Sequence, residues 1–206
     1  MRRRTPRRAY ETELIVLDVM ELGNPSDRHV EHRNQPVIQG IGTRYFSLLE
    51  GQPLPAVRIE IFERVELSQY SKVSKIVHVQ FEDLTAVSRA NLPEAVRRIV
   101  EEREKLFVTF FNTAEPVNIR IHSLELLPGV GKKLMRAILD ERGKAPFTSF
   151  EDIRNRTRID PVRAIVERIV RELMGTEKYY LFVMPPPQAS GAVYLGYLER
   201  LYEEAL

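Results

Sequence analysis

Two glycines and two lysines in close succession, Gly129-Val130-Gly131-Lys132-Lys133, are the residues of this 206-residue chain whose types and spacing best suit a defined chemistry. They follow Leu126-Leu127-Pro128, the end of an apolar stretch from Ile121 that reads as a turn and a half of helix. A second helix is expected from Lys132 to Glu141. Glycine accepts positive φ and lets a ligand approach the backbone closely. The first N–H groups of a helix have no acceptor in a preceding turn and lie at the positive end of its dipole. A turn of this kind holds an anion, and two ammonium groups add charge at the same point. Nothing in it reads a base. Polyanion binding through it is expected to be independent of base sequence and steeply salt-dependent.

Other residues suit further chemistry. Phe62 between Arg58 and Arg64, with Tyr45 beside Arg44, would make a stacking platform for unpaired bases. The simpler reading is that a small barrel buries its aromatics. Arg136, one helical turn beyond Lys132, extends the cationic candidate surface. His29-x-x-His32, with Asp27 and Glu31 beside it, has ligand types for a metal, but the polarity of an exposed loop accounts for it equally, and no metal is assigned. His78 and His122 stand singly and read as structural. With no cysteine in the chain, disulfides, thiol nucleophiles and cysteine zinc sites are excluded.

The formal net charge of +2 hides a strong asymmetry. Arg2, Arg3, Arg4, Arg7 and Arg8 make a basic arm over residues 1–9. Residues 9–119 carry 12 basic and 17 acidic residues, residues 120–171 carry 12 basic and 7 acidic, and residues 172–206 carry 2 basic and 5 acidic. Positive charge therefore gathers in the arm, which reads equally as a solubilising tail, and around the glycine hairpin, as a phosphate-binding surface requires. Apolar runs fall well short of the roughly 20 residues of a membrane span. No apolar signal segment follows the arginines, so the expected location is cytoplasmic, with no membrane partner.

The elements that must position these residues fall in two classes. Between Tyr10 and Thr85, short β-branched and aromatic segments separated by turns read as strands at Glu13–Met20, 37–49 with a bulge or bend at Gly40 and Gly42, 57–67 with Val57, Ile59, Ile61, Val65 and Leu67 on one face, and 75–81. These suggest an OB-like antiparallel β-barrel domain over residues 10–116. A packed helix is expected near 91–106, capped by Asn91, with Pro93 in its first turn. Phe107 to Phe111 reads as the end of that helix or as another strand. A boundary is expected at Glu115-Pro116. Short helices follow at 121–127, 132–141 ended by Gly143, 150–155, and 161–174 with Asp160 as cap and Pro161 at its first position. Together, 117–175 read as a helical domain. Residues 176–206 add a strand at 179–184 and an amphipathic helix from Val193, packing back on the core.

Leu127-Pro128-Gly129-Val130-Gly131, followed by Lys132, Lys133 and Ile138, resembles the helix-hairpin-helix motif of DNA-repair and recombination proteins. The resemblance implies that the hairpin amides hold a phosphate, sometimes with a monovalent cation, and it implies no other cofactor. Met135 stands where that motif keeps a small residue, usually alanine. Phe150-Glu151-Asp152-Ile153 through Arg158-Ile159-Asp160-Pro161 resembles the second unit of a tandem pair that has lost its Gly-x-Gly, which implies a structural role. Base-excision glycosylases with this motif keep a lysine nucleophile where Lys133 stands, and a carboxylate near the place of Glu151 or Asp152. Those enzymes enclose a flipped base between helical segments, whereas the upstream region here reads as β. The whole chain resembles an uncharacterised archaeal family of predicted nucleic-acid-binding proteins that pair an OB-fold-like domain with a helix-hairpin-helix domain. The implied function is non-enzymatic binding of RNA or DNA, which this pattern does not tell apart. The alternative is an interaction module docking, by its acidic barrel and C-terminal helix, on a larger RNA-processing, ribosomal or transcription assembly.

Overall fold

A computed structural model describes residues 10–23 and 34–204. The arginine arm and the His29-x-x-His32 group lie outside the described residues. The chain forms two compact units, Met1–Ala95 and Val96–Leu206. The division falls inside a helix, and the boundary expected at Glu115-Pro116 lies within the second unit.

The first unit is a curled five-stranded antiparallel sheet, a half-barrel, in the order β4-β1-β2-β3-β5. Its strands are β1 (Glu13–Met20), β2 (Val37–Gly42), β3 (Leu48–Pro53), β4 (Arg64–Glu66) and β5 (Val73–His78). Leu14, Val16, Ile38, Leu49, Ile59, Val65 and Val73 fill its concave side. β1 and β2 are buried on both faces, which explains their near-continuous apolar runs. The sheet curls where β1 carries a bulge between Val16 and Asp18, opposite Gly40. A Cβ on Gly40 would stand 2.7 Å from Leu14 and 2.9 Å from the Ile15 carbonyl, so only glycine fits.

Three strand expectations change. The 37–49 segment is two strands, because Glu11 turns the chain: its carboxylate accepts the N–H groups of Arg44, Tyr45 and Ser47 at 2.8, 2.9 and 3.0 Å. The 57–67 segment is a strand only at Arg64–Glu66, since Ala56 and Phe62 adopt left-handed φ and Ile61, expected inside, is exposed. With so short a β4, the sheet ends at β4 on one side and β5 on the other, and the expected closed barrel is a half-barrel. The segment expected at 75–81 is a strand at Val73–His78.

Helix α1 (Ala86–Glu102) starts earlier than expected, with Pro93 inside it. Thr85 rather than Asn91 begins it: Thr85 Oγ1 accepts the Ser88 N–H at 3.0 Å. Buried Gln39 accepts from Thr85 N and Ser88 Oγ and donates to Glu50 and the Asp83 carbonyl, so a polar side chain of β2 fixes the helix start. Asn91 donates instead to the Leu17 carbonyl of β1.

In the second unit, α2 (Glu104–Thr113) replaces the strand considered at Phe107–Phe111. Phe107, Phe110, Phe111 and Ala114 recur at helical spacing and are all buried. Phe107 and Phe110 meet Phe182 edge-on, and Phe110 meets Tyr197 likewise. A four-residue 3-10 turn, Ser123–Leu126, stands where the first short helix was expected. Then come α3 (Lys132–Lys144), α4 (Phe150–Thr157) and α5 (Pro161–Leu173). Gly143 lies within α3 and does not end it. The late strand shrinks to β6 (Tyr179–Tyr180), paired in parallel with β7 (Val193–Tyr194), and α6 spans Tyr197–Glu204. No helix among the described residues is long and apolar enough to cross a membrane.

Candidate functional site

The turn between the 3-10 turn and α3 is built from its two glycines. Gly129 has φ +82°, and Gly131, at φ −83° and ψ 176°, is the N-cap of α3 with no side chain to offer the helix. Space is open around both: an added Cβ would meet nothing within 4 Å. Val130 between them is buried and donates to the Leu127 carbonyl at 3.0 Å, pinning the turn. Among the described residues, no hydrogen bond takes up the N–H groups of Gly129 and Gly131. Those of Lys132 and Lys133 begin α3, where no preceding turn provides acceptors.

Lys132, Lys133 and Arg136 are exposed, and no ion pair among the described residues neutralises them. Lys132 and Arg136 lie one turn apart on the same face. Several other cations of this segment are bonded within the chain. Arg142 donates to the Phe111 and Ala114 carbonyls, both at 3.0 Å, and closes the end of α2. Arg156 pairs with Asp152 at 3.1 Å and Glu141 at 3.3 Å, Arg154 with Asp160, and Arg163 with Glu167. The positive charge read from composition thus divides between cations bonded within the chain and cations that no ion pair among the described residues neutralises, Arg120, Lys132, Lys133, Arg136, Arg158 and Arg171, and the second group includes the glycine turn.

The turn is held from behind by a group that sequence reasoning missed. Arg168, 3% exposed, donates to the Leu126 carbonyl at 3.2 Å, to Glu172 at 2.7 Å, to Glu177 at 3.2 Å and to the Tyr179 carbonyl. Glu172 is fully buried and accepts the N–H groups of Leu181, Phe182 and Val183 at 2.6, 2.9 and 2.7 Å. Burial raises its pKa, opposed by Arg168 and by the Val183 and Leu181 amides. In sequence, Arg168 and Glu172 look like an ordinary surface pair of α5; their burial was the missing signal. His122 opens the 3-10 turn: its Nδ1 accepts the Leu124 N–H at 3.1 Å, while Glu125 accepts the His122 N–H. Burial, with the nearby Arg142 charge, lowers its pKa against the pull of Glu125.

A monovalent cation at the turn would need backbone carbonyls. Those of Leu126 and Leu127 each accept one hydrogen bond, from Arg168 and Val130. Met135 is half-buried, and α3 still packs on α4, with Ile138 fully buried.

Of the stacking candidates, Arg58 stands apart from Arg44, Tyr45 and Arg64. Arg44 lies over the Tyr45 ring at 5.3 Å in the β2–β3 turn, and Arg64 pairs with Glu13 at 2.5 Å near the start of β1. Arg58 is exposed and lines a 540 Å³ cavity with Val19 and Glu21, at the other end of β1. Phe62 is half-buried at a left-handed turn position, its N–H bonded to Val16. Asp152, a candidate carboxylate, accepts from Thr148 and Arg156 and so serves the start of α4.

A family model described as "Protein of unknown function (DUF655)" matches residues 10–184. The uncharacterised protein MJ0038 of Methanocaldococcus jannaschii is 39% identical over 180 residues, which cover 84% of this chain and 80% of that one. The crystal structure of Af1531 from Archaeoglobus fulgidus is 40% identical, with a TM-score of 0.76 over 84% of this chain and 100% of that one.

Proposed function

The chain belongs to this family of proteins of unknown function, which has archaeal members, and we propose that it binds nucleic acid without reading sequence, seating a backbone phosphate on the Gly129–Lys133 turn. The observation that carries the reading is the conjunction at one point of two uncrowded glycines, an uncapped helix start and two unpaired lysines. A phosphate there accepts from backbone N–H groups that the chain leaves unused and is attracted by the ammonium groups. Together, the 3-10 turn, the glycine turn and α3 act as a helix-hairpin-helix unit, and α4 and α5 as its degenerate second copy. The strand order β4-β1-β2-β3-β5 suits an OB-like half-barrel left open between β4 and β5. The lyase reading of Lys133 draws no support from Asp152, whose carboxylate is engaged by Arg156 and Thr148.

The test is fluorescence anisotropy against single-stranded and duplex RNA and DNA across a salt series, with a Lys132→Ala/Lys133→Ala variant alongside. Removing two phosphate contacts is expected to weaken binding and to flatten the log–log salt slope by about 2 for a duplex. Absence of binding to every polynucleotide at low salt would sink the proposal.

A further inference from the structure

Upstream of the turn, residues 116–122 form a small, tightly held loop with an unusual tip. Ile119 is 98% exposed, the most exposed large apolar side chain among the described residues. Single exposed apolar residues are common on proteins, but this one is presented by a backbone that cannot withdraw it. Pro116 and His122 close the base as a β-bridge. The Val117 and Asn118 N–H groups both donate to the Ile121 carbonyl. The Asn118 side chain turns back to accept the N–H groups of Arg120 and Ile121 at 2.8 and 3.2 Å. Ser123 N donates to the Glu115 carbonyl below. The side chain beside the tip is Arg120, exposed and without an ion pair among the described residues.

The loop and the glycine turn are one mechanical piece. His122 belongs to the loop base and also caps the 3-10 turn, whose last residue is held by Arg168. Only the four residues of the 3-10 turn, a rise of about 8 Å, join the loop base to the glycine turn. Resting on the phosphate reading above, we infer that Ile119 is an apolar wedge that enters the base stack of the duplex whose phosphate sits on the glycine turn. Arg120 meets the neighbouring phosphate or groove edge. Insertion of an isoleucine between base steps unstacks them and needs no particular base, which matches a site that reads none. Arg120 and the lysines favour a polyanion over an apolar protein surface as the occupant.

The experiment uses the full chain with Ile119→Ser and Ile119→Leu, and short DNA and RNA duplexes carrying 2-aminopurine, whose fluorescence rises on unstacking. The wild type is expected to raise the fluorescence of at least one duplex. Ile119→Ser is expected to bind that duplex about three- to tenfold more weakly, to abolish the rise, and to leave the salt slope and thermal midpoint unchanged. Ile119→Leu is expected to restore both. The arm that responds identifies the polymer. Binding by the wild type with no fluorescence rise, or an Ile119→Ser variant equal to wild type, overturns the wedge. If the salt slope still depends on Lys132 and Lys133, the phosphate reading survives that result. Failure of the wild type to bind any duplex overturns the wedge together with duplex binding at the turn.

Discussion

Two helix starts in the second unit show how differently the same backbone feature can be used. α3 begins at Gly131, which offers no cap, and continues into two exposed lysines. α5 begins at Asp160, whose carboxylate accepts the Arg163 N–H at 3.1 Å and pairs with Arg154 at 3.3 Å; Pro161 then removes one N–H altogether. The turns before them differ in the same direction. Left-handed φ is taken by Gly129 before α3 and by Arg158 before α5. A helix start is an anion site only if the chain does not fill it. Here one is filled and the other is not.

Moving the filled arrangement onto the open one is the strongest way to break the contrast. Gly131→Asp places a carboxylate where the phosphate should sit, at an extended backbone geometry that aspartate accepts and with open space for its Cβ. Nucleic-acid affinity at low salt is expected to fall more than about tenfold, beyond the double lysine variant, because a repulsive charge replaces an attraction. Thermal stability should hold or rise by about a few tenths of a kcal/mol, since aspartate is the better cap. Loss of binding without loss of fold separates the two roles, and unchanged binding in anisotropy would place the phosphate elsewhere. The reverse exchange is expected to be smaller. Asp160→Ala opens α5, costs about 1 kcal/mol of stability in chemical denaturation, and should yield a gain in binding smaller than the loss at Gly131, because Pro161 leaves one donor fewer at that start.

A third start sharpens the comparison by pH. The 3-10 turn before the glycines is capped by His122, whose pKa burial holds below the ordinary histidine value. The unfolded chain therefore takes up its proton first as pH falls. The stability contributed is present above about pH 6.5 and is lost as pH drops from there towards the folded-state pKa. Denaturation midpoints should decline between pH 7.5 and 5.5, by less than about 1 kcal/mol of stability. His122→Asn, which keeps an acceptor but does not titrate, should flatten that decline; an equal slope in the variant would assign the titration to another group.

Legibility from sequence followed the range of the interactions. The glycine turn, the Asp160-Pro161 start of α5 and the apolar run of β1 are local signals, and the structure has elements there. The start of α1 is not a local signal, because its cap draws on Gln39, 46 residues before Thr85 in the chain. Phe107–Phe111 was ambiguous because a short aromatic run suits either a strand or a fully buried helix. Alternation placed Ile59 and Val65 correctly inside, but it could not show that Phe62 reverses the chain between them. Arg44, Arg58, Phe62 and Arg64 were grouped by residue type. The displacement of Arg58 to the far end of β1 from Arg44 and Arg64 is a matter of chain path and register, which sequence spacing does not carry.

What the sequence determined by itself is the chemistry of one turn. Glycines at 129 and 131 with lysines at 132 and 133 specify an unfilled helix start, because capping and φ preference are settled within a few residues. The tertiary structure decided which charges remain available. Only packing shows that Arg142, Arg156 and Arg168 are consumed by carbonyls and carboxylates, while Lys132, Lys133 and Arg136 face outward. Side-chain pairing depends on distances across the fold, and a linear charge count carries none of them.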